Sequence, residues 1–213
     1  VVYVPPSHIQ VLGDTHPNAY PQYDGLATEA NIKAALRQMT QQTDTDDELF
    51  FVTSGHGDGD GTGKSYLCAW DCESGEEGED GNLWDYELAE ILGEAQAQHV
   101  FVFIDHCYSG GMGSELMALS NKNQIFCTTT CTENGYGYDS EEHQNGLWTY
   151  WFLEAGLRGY LTDATNISME AAFSWALSHY PYQQGGNKPM VFDGNLTSEF
   201  ILVSPNSTDA DYD

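Results

Sequence analysis

Two stretches of the chain, residues 48–53 (ELFFVT) and 99–104 (HVFVFI), are apolar almost without interruption, and residues 124–130 form a third such run. Short runs that do not alternate suit strands covered on both faces. The segments between them repeat at a helical period. Behind Thr28, a candidate N-cap, Ile32, Ala35, Leu36 and Met39 fall at i, i+3, i+4 and i+7. Leu88, Ile91, Leu92 and Ala95 do the same behind Asp85, as do Trp148, Trp151, Phe152 and Ala155. A last helix is expected over 168–180 through Met169, Ala172, Phe173, Ala176 and Leu177. Shorter strands are expected at 8–13, 65–70 and 200–203. Alternation of strands and helices predicts an α/β fold, a mostly parallel central sheet with helices on both faces. Residues 1–203 read as one domain, with no internal repeat, and 204–213 as a polar, acidic tail.

Charge narrows the partners. The 213 residues carry 33 Asp and Glu against six Lys and Arg, a formal charge of −27. Such a surface repels nucleic acid and anionic lipid and favours basic peptides or metal ions. No apolar run approaches the ~20 residues of a membrane span. The chain opens Val1-Val2-Tyr3-Val4, without an initiator Met or a signal-like segment, and reads as a processed or trimmed product.

The five cysteines fall as two C-x-x-x-C pairs, Cys68 with Cys72 and Cys127 with Cys131, and a lone Cys107. Two bridges plus one reactive thiol fit an oxidising compartment; free buried thiols are the alternative. Sequons at Asn166, Asn195 and Asn206 also point to a secreted chain or one in an organelle lumen.

The chemistry gathers where two of the apolar runs end. The first leads into Ser54-Gly55-His56-Gly57, and the second into Asp105-His106-Cys107-Tyr108-Ser109-Gly110-Gly111. Parallel neighbours bring both ends to one sheet edge, where α/β folds bind their ligands. A thiol of ordinary pKa needs a base, and an imidazole beside it can take the proton and later return it to a leaving amine. The N–H groups of Gly57 and Cys107 are candidate oxyanion donors, with Gly110-Gly111 expected to give the sharp turn that frees the latter. His106 adjoins the nucleophile, so its side chain should point away from it; His143 is expected on an exposed acidic loop.

These two segments resemble the S-G-H-G and D-x-C-x-S-G motifs of caspase-like peptidases, metacaspases and legumains among them. The stretch from Phe126 to Thr130, followed by Tyr136-Gly137-Tyr138-Asp139, is similar to the legumain strand and specificity loop. The resemblance implies a caspase-like three-layer sandwich and a cysteine endopeptidase with a Cys107–His56 dyad. It implies a substrate pocket with Asp105 in its floor, Asp139 beside it and Ser54 at its edge. Two carboxylates there favour Arg or Lys at P1. A legumain-like preference for Asn would need a pocket arginine, and Arg37 and Arg158 stand elsewhere in the order of elements.

No cofactor is required by this chemistry. Some metacaspases use calcium, for which Asp58 and Asp60 are the candidate ligands. The family's first strand and helix have no counterpart upstream of residue 8, which implies a cleaved segment, a second chain completing the sheet, or a sequence that is only part of the protein. The other reading is a non-catalytic structural or adhesive extracellular module that keeps the fold and assembles into oligomers or filaments.

Overall fold

A computed structural model of the chain describes residues 4–160 and 168–201. Two short parallel strands, β1 (Leu12–Gly13) and β2 (Gly25–Leu26), precede helix α1 (Glu29–Gln42). Thr28 caps α1, its side chain accepting the Asn31 N–H at 3.3 Å, as the sequence predicts. The central strands β3 (Glu48–Ser54), β7 (His99–Asp105) and β8 (Ile125–Thr129) are parallel to one another. They lie with the antiparallel β11 (Met190–Asp193) in the order β11-β8-β7-β3.

A smaller antiparallel sheet follows β3, made of β4 (Gly57–Gly59), β5 (Ser65–Cys68) and β6 (Asn82–Trp84). Helices α2 (Asp85–Leu92), α3 (Gly110–Leu116) and α4 (Met169–His179) and a π-helix (Thr149–Tyr160) complete the layers. The two-residue strands β9 (Asp139–Ser140) and β10 (Asn145–Gly146) pair antiparallel in the loop before the π-helix.

The sheet separates two cores of different chemistry. One is aliphatic: Leu49, Val100, Val102 and Ile104 of the strands pack with Leu88, Ile91 and Leu92 of α2. The other is aromatic: Phe101, Phe103 and Phe126 meet Trp148, Phe152 and Phe173. In both, the apolar area removed from water is the main favourable term.

The strand expected at 8–13 is cut to Leu12–Gly13, with Pro6–His8 in a 3-10 turn; three further expectations change. The closing strand at 200–203 is reduced to an isolated bridge between Ser168 and Ile201, with 202 and 203 outside the described residues; β11 supplies the fourth strand instead. Only four residues long and bounded by Pro189 and Gly194, β11 carries no periodic signal. Second, β3 is not covered on both faces. Among the described residues it pairs only with β7, and Val52 is 53% exposed. Among the described residues no strand lies on the side of β3 away from β7.

Third, all five cysteines are free thiols. Cys127 lies inside β8, while Cys131 sits in a bend two residues beyond its end, its thiol donating to the His106 carbonyl at 3.4 Å and lying 3.5 Å from Ser109 Oγ. Burial holds the Cys127 thiol far above its ordinary pKa. Cys72 donates to Asn82 Oδ1 at 3.1 Å, and burial, with the neighbouring Cys72, pushes Cys68 up to about 12.

Candidate active site

Strands β3 and β7 run in register to their last residues, Ser54 opposite Asp105, and the Gly55 N–H donates to the Asp105 carbonyl at 3.2 Å. His56 and Cys107 each stand two residues past that pair, on neighbouring strands whose separation is about 4.8 Å. The strand ends thus bring the two together at the carboxyl edge of the sheet. Cys107 is half-buried, its Sγ 3.8 Å from the Gly137 carbonyl, while His56 is exposed and its ring has no hydrogen-bond partner among the described residues. Gly57 is required here for close approach: a Cβ on it would stand 2.4 Å from the Cys107 carbonyl oxygen. The Cys107 N–H donates to no group among the described residues.

The turn after Cys107 is made differently from the expectation. Tyr108, not the glycine pair, takes the left-handed conformation, with φ 58°. Its N–H donates to the Gly135 carbonyl at 2.9 Å and its ring stands edge-on to Tyr136, centroids 5.6 Å apart. Gly110 and Gly111 lie inside α3, where they let that helix pack against the Thr132 backbone and Ser65.

His106 points inward, as alternation predicts, and is fully buried. Its Nδ1 lies 2.6 Å from the His56 carbonyl oxygen and its Nε2 2.9 Å from Thr53 Oγ1. A carbonyl only accepts, so Nδ1 carries the proton and Nε2 accepts from the Thr53 hydroxyl. Burial lowers the His106 pKa to about 4, which keeps the ring neutral and the tautomer single.

Asp105 is 5% exposed. The Thr149 N–H and hydroxyl both donate to its Oδ2, at 2.8 and 2.7 Å. Burial lifts its carboxyl above the usual range against those bonds, and the charge of Asp139 adds to the rise. No ion pair among the described residues reaches it. Glycine surrounds the carboxylate: a Cβ on Gly146 would lie 2.3 Å from Oδ2, and one on Gly137 3.6 Å from Oδ1. Asp139 and Ser54 are exposed nearby, at the starts and ends of their strands.

The remaining candidates lie apart. Asp60 accepts from Thr62 and the Lys64 N–H, and Asp58 from the Gly59 N–H, so each carboxylate is turned back into its own loop. His143 is half-buried rather than exposed, stacked on Tyr150 at 3.5 Å. Asn195 occupies a turn after β11, its Oδ1 accepting from Thr197 Oγ1 at 2.8 Å; Asn166 and Asn206 lie outside the described residues. A cavity of about 460 Å³ lined by Met117, Phe173, Val191 and Leu196 sits beside β11, away from Cys107.

Sequence reasoning missed one cluster. Glu29, Glu79 and Glu87 converge within 4.8 Å, and the Lys33 ammonium sits among them, 2.6 Å from Glu29, 2.7 Å from Glu79 and 2.5 Å from Glu87. Only the i,i+4 spacing of Glu29 and Lys33 hinted at it.

The model of the metacaspase peptidase C14 domain matches residues 3–115, more than half of the 213-residue chain and a span that includes both His56 and Cys107. Among solved structures, a Geobacter sulfurreducens protein shares the fold at a TM-score of 0.55 and 18% identity, over 80% of this chain and 76% of that one. That likeness shows architecture alone, the caspase-like α/β sandwich read above. No curated protein matches the chain.

Proposed function

The chain belongs to the metacaspase peptidase C14 family, and on that premise we propose that it is a cysteine endopeptidase cleaving after Arg or Lys, with Cys107 as nucleophile and His56 as acid–base partner. His56 takes the Cys107 proton and the thiolate attacks the scissile carbonyl carbon. The carbonyl oxygen gains the negative charge and is received by the N–H groups of Cys107 and Gly57. The C–N bond then breaks, His56 protonates the departing amine, and a water that His56 deprotonates cleaves the thioester, releasing the acid and restoring the thiol. The observation that carries this reading is the register of β3 and β7, which ends one strand on each of the two groups.

Asp105 supports the basic P1 residue: it is a buried carboxylate with neutral donors and, among the described residues, no cation paired with it. An arginine side chain would supply that cation and bring the Asp105 pKa back down. The open edge of β3 supports the further partner expected, a strand from a second chain or a cleaved segment. With no bridge formed, a secreted or lumenal location rests on the sequons, and Asn195 in its surface turn is the acceptor to test.

Peptides differing only at P1, with Arg, Lys, Asn and Asp, test the activity. Turnover of the Arg and Lys peptides, abolished in Cys107→Ala, is expected. No turnover, together with a Cys107 that iodoacetamide leaves unmodified, would overturn it in favour of the non-catalytic module.

A further inference from the structure

We propose that His106 is a positioning residue, a brace that holds the His56 peptide at a fixed distance from the nucleophile's strand. The inference rests on reading Cys107 and His56 as an acid–base pair, and it assigns the geometry of that pair to a third side chain.

The His56 ring has no hydrogen-bond partner among the described residues, so its place depends on its backbone. That backbone is held at one atom. The His56 carbonyl accepts from His106 Nδ1 at 2.6 Å and from the Cys68 N–H at 2.9 Å, which uses both of its lone pairs. The first bond ties the peptide to β7, one residue before Cys107, and the second ties it to β5. His106 is itself fixed from behind, because Thr53 Oγ1 donates to Nε2 at 2.9 Å. Thr53, His106 and the His56 carbonyl therefore form one directed chain of hydrogen bonds, from the body of β3 across to β7 and back to the loop that follows β3.

The neighbours leave the ring no other place. Gly55 and Gly57 flank His56, and a Cβ on either would lie 3.1 Å from an atom of His106. The bare backbone on both sides of His56 thus packs directly on the brace. A buried neutral hydrogen-bond chain of this kind rigidifies when every member is satisfied, and each member here is. Reaction rates respond steeply to such placement, since a 1 Å displacement costs about 100-fold.

The test separates the two ring nitrogens. Asn at position 106 places an amide N–H where Nδ1 stands and keeps the donor to the His56 carbonyl; Gln reaches the Nε2 position and loses that donor. His106→Asn, His106→Gln, Thr53→Val and His56→Ala are compared with the unaltered chain. The readouts are kcat and KM on an Arg peptide and the pH dependence of Cys107 alkylation by iodoacetamide, read at that residue by mass spectrometry. His106→Gln is expected to lower kcat roughly 10- to 100-fold at unchanged KM. Its Cys107 alkylation at neutral pH should slow toward the rate seen in His56→Ala. His106→Asn should stay near the unaltered chain, and Thr53→Val should fall between.

Equal kinetics and equal alkylation profiles for Asn and Gln would overturn the brace. So would losses in both that track a falling melting temperature with kcat and KM changing together. Alkylation reads the brace even if no peptide is cleaved, so a failed peptidase and a failed brace give different results. A His56→Ala profile identical to the unaltered chain would overturn the pairing and the brace with it.

Discussion

Glu29 and Asp105 are both carboxylates taken out of water, 1% and 5% exposed; burial raises the pKa of both, but the fold gives them different partners. Glu29 receives a cation of its own, the Lys33 ammonium one turn along α1, and two backbone N–H groups, from Gly81 and Asn82. Burial pulls the Lys33 ammonium down, but its bonds to Glu29, Glu79 and Glu87 override that and hold it above the ordinary lysine value. Asp105 receives only neutral donors. Among the described residues one carboxylate is paired with a cation and the other is not. That difference is what the proposed recognition of a basic P1 residue draws on.

The largest effect should come from taking the cation away from the paired cluster. Lys33→Met leaves Glu29 buried beside two more carboxylates, and the expected loss is about 3–5 kcal/mol in urea unfolding followed by tryptophan fluorescence. A loss below about 1 kcal/mol would erase the distinction between the two carboxylates. Asp105→Asn is the mirror experiment. Folding stability should change by no more than about 1 kcal/mol, because no charged partner is orphaned. Turnover of Arg and Lys peptides should fall roughly 30- to 1,000-fold in kcat/KM, corresponding to about 2–4 kcal/mol of lost charge pairing. A neutral-P1 peptide should be nearly unaffected.

Acid sharpens the contrast next. The Asp105 pKa is raised, so the folded chain binds its proton before the unfolded chain does. As pH falls through that raised value the carboxyl loses the charge that recognises a basic P1 residue, and KM for Arg peptides should climb above the usual carboxylate range. Asp105→Asn should lack this change in KM. Stability moves the other way at this residue: its burial weighs against the fold at neutral pH and is relieved as pH drops through the folded pKa. Lys33 obeys the opposite rule, its contribution complete below about pH 10.5 and lost only as pH rises past its raised value. The smallest effect concerns salt. Going from 0.1 to 1 M sodium chloride shortens the screening length from about 10 to about 3 Å. Cleavage of a basic peptide should slow about 3- to 10-fold as steering by the acidic surface fades. The difference in stability between Lys33→Met and the unaltered chain should hold within about 0.5 kcal/mol.

Much of this was legible in the chain, for reasons of range. The apolar runs of β3 and β7 and the reactive residues after them are contiguous, so strand, turn and functional group are read from a single short window. Asp105 was legible through its place beside Cys107, though not its donors: Thr149 lies 44 residues away. The Lys33 cluster draws on α1, the loop before β6 and α2, residues that no local period connects. The cysteine pairs show the converse failure. Their spacing suggested bridges, but no disulfide joins either pair, and Cys131 turns its sulfur to Ser109 and the His106 carbonyl instead. The glycines after Cys107 were correctly singled out and given the wrong task, since a turn and a tight helix contact leave the same residue in the sequence.

The open edge of β3 has a consequence for how copies of this chain behave together. An edge strand with exposed backbone groups and an apolar side chain beside it is a template for adding another strand. Val52 offers that apolar contact here. No Lys or Pro interrupts residues 48–54 to discourage it. The force opposing such pairing is electrostatic: 33 acids against six bases give each molecule a formal charge of −27. Such bodies repel one another at low ionic strength whatever their edges offer. In brine or at acid pH that repulsion weakens, and the same strand becomes the point from which concentrated solutions would begin to associate.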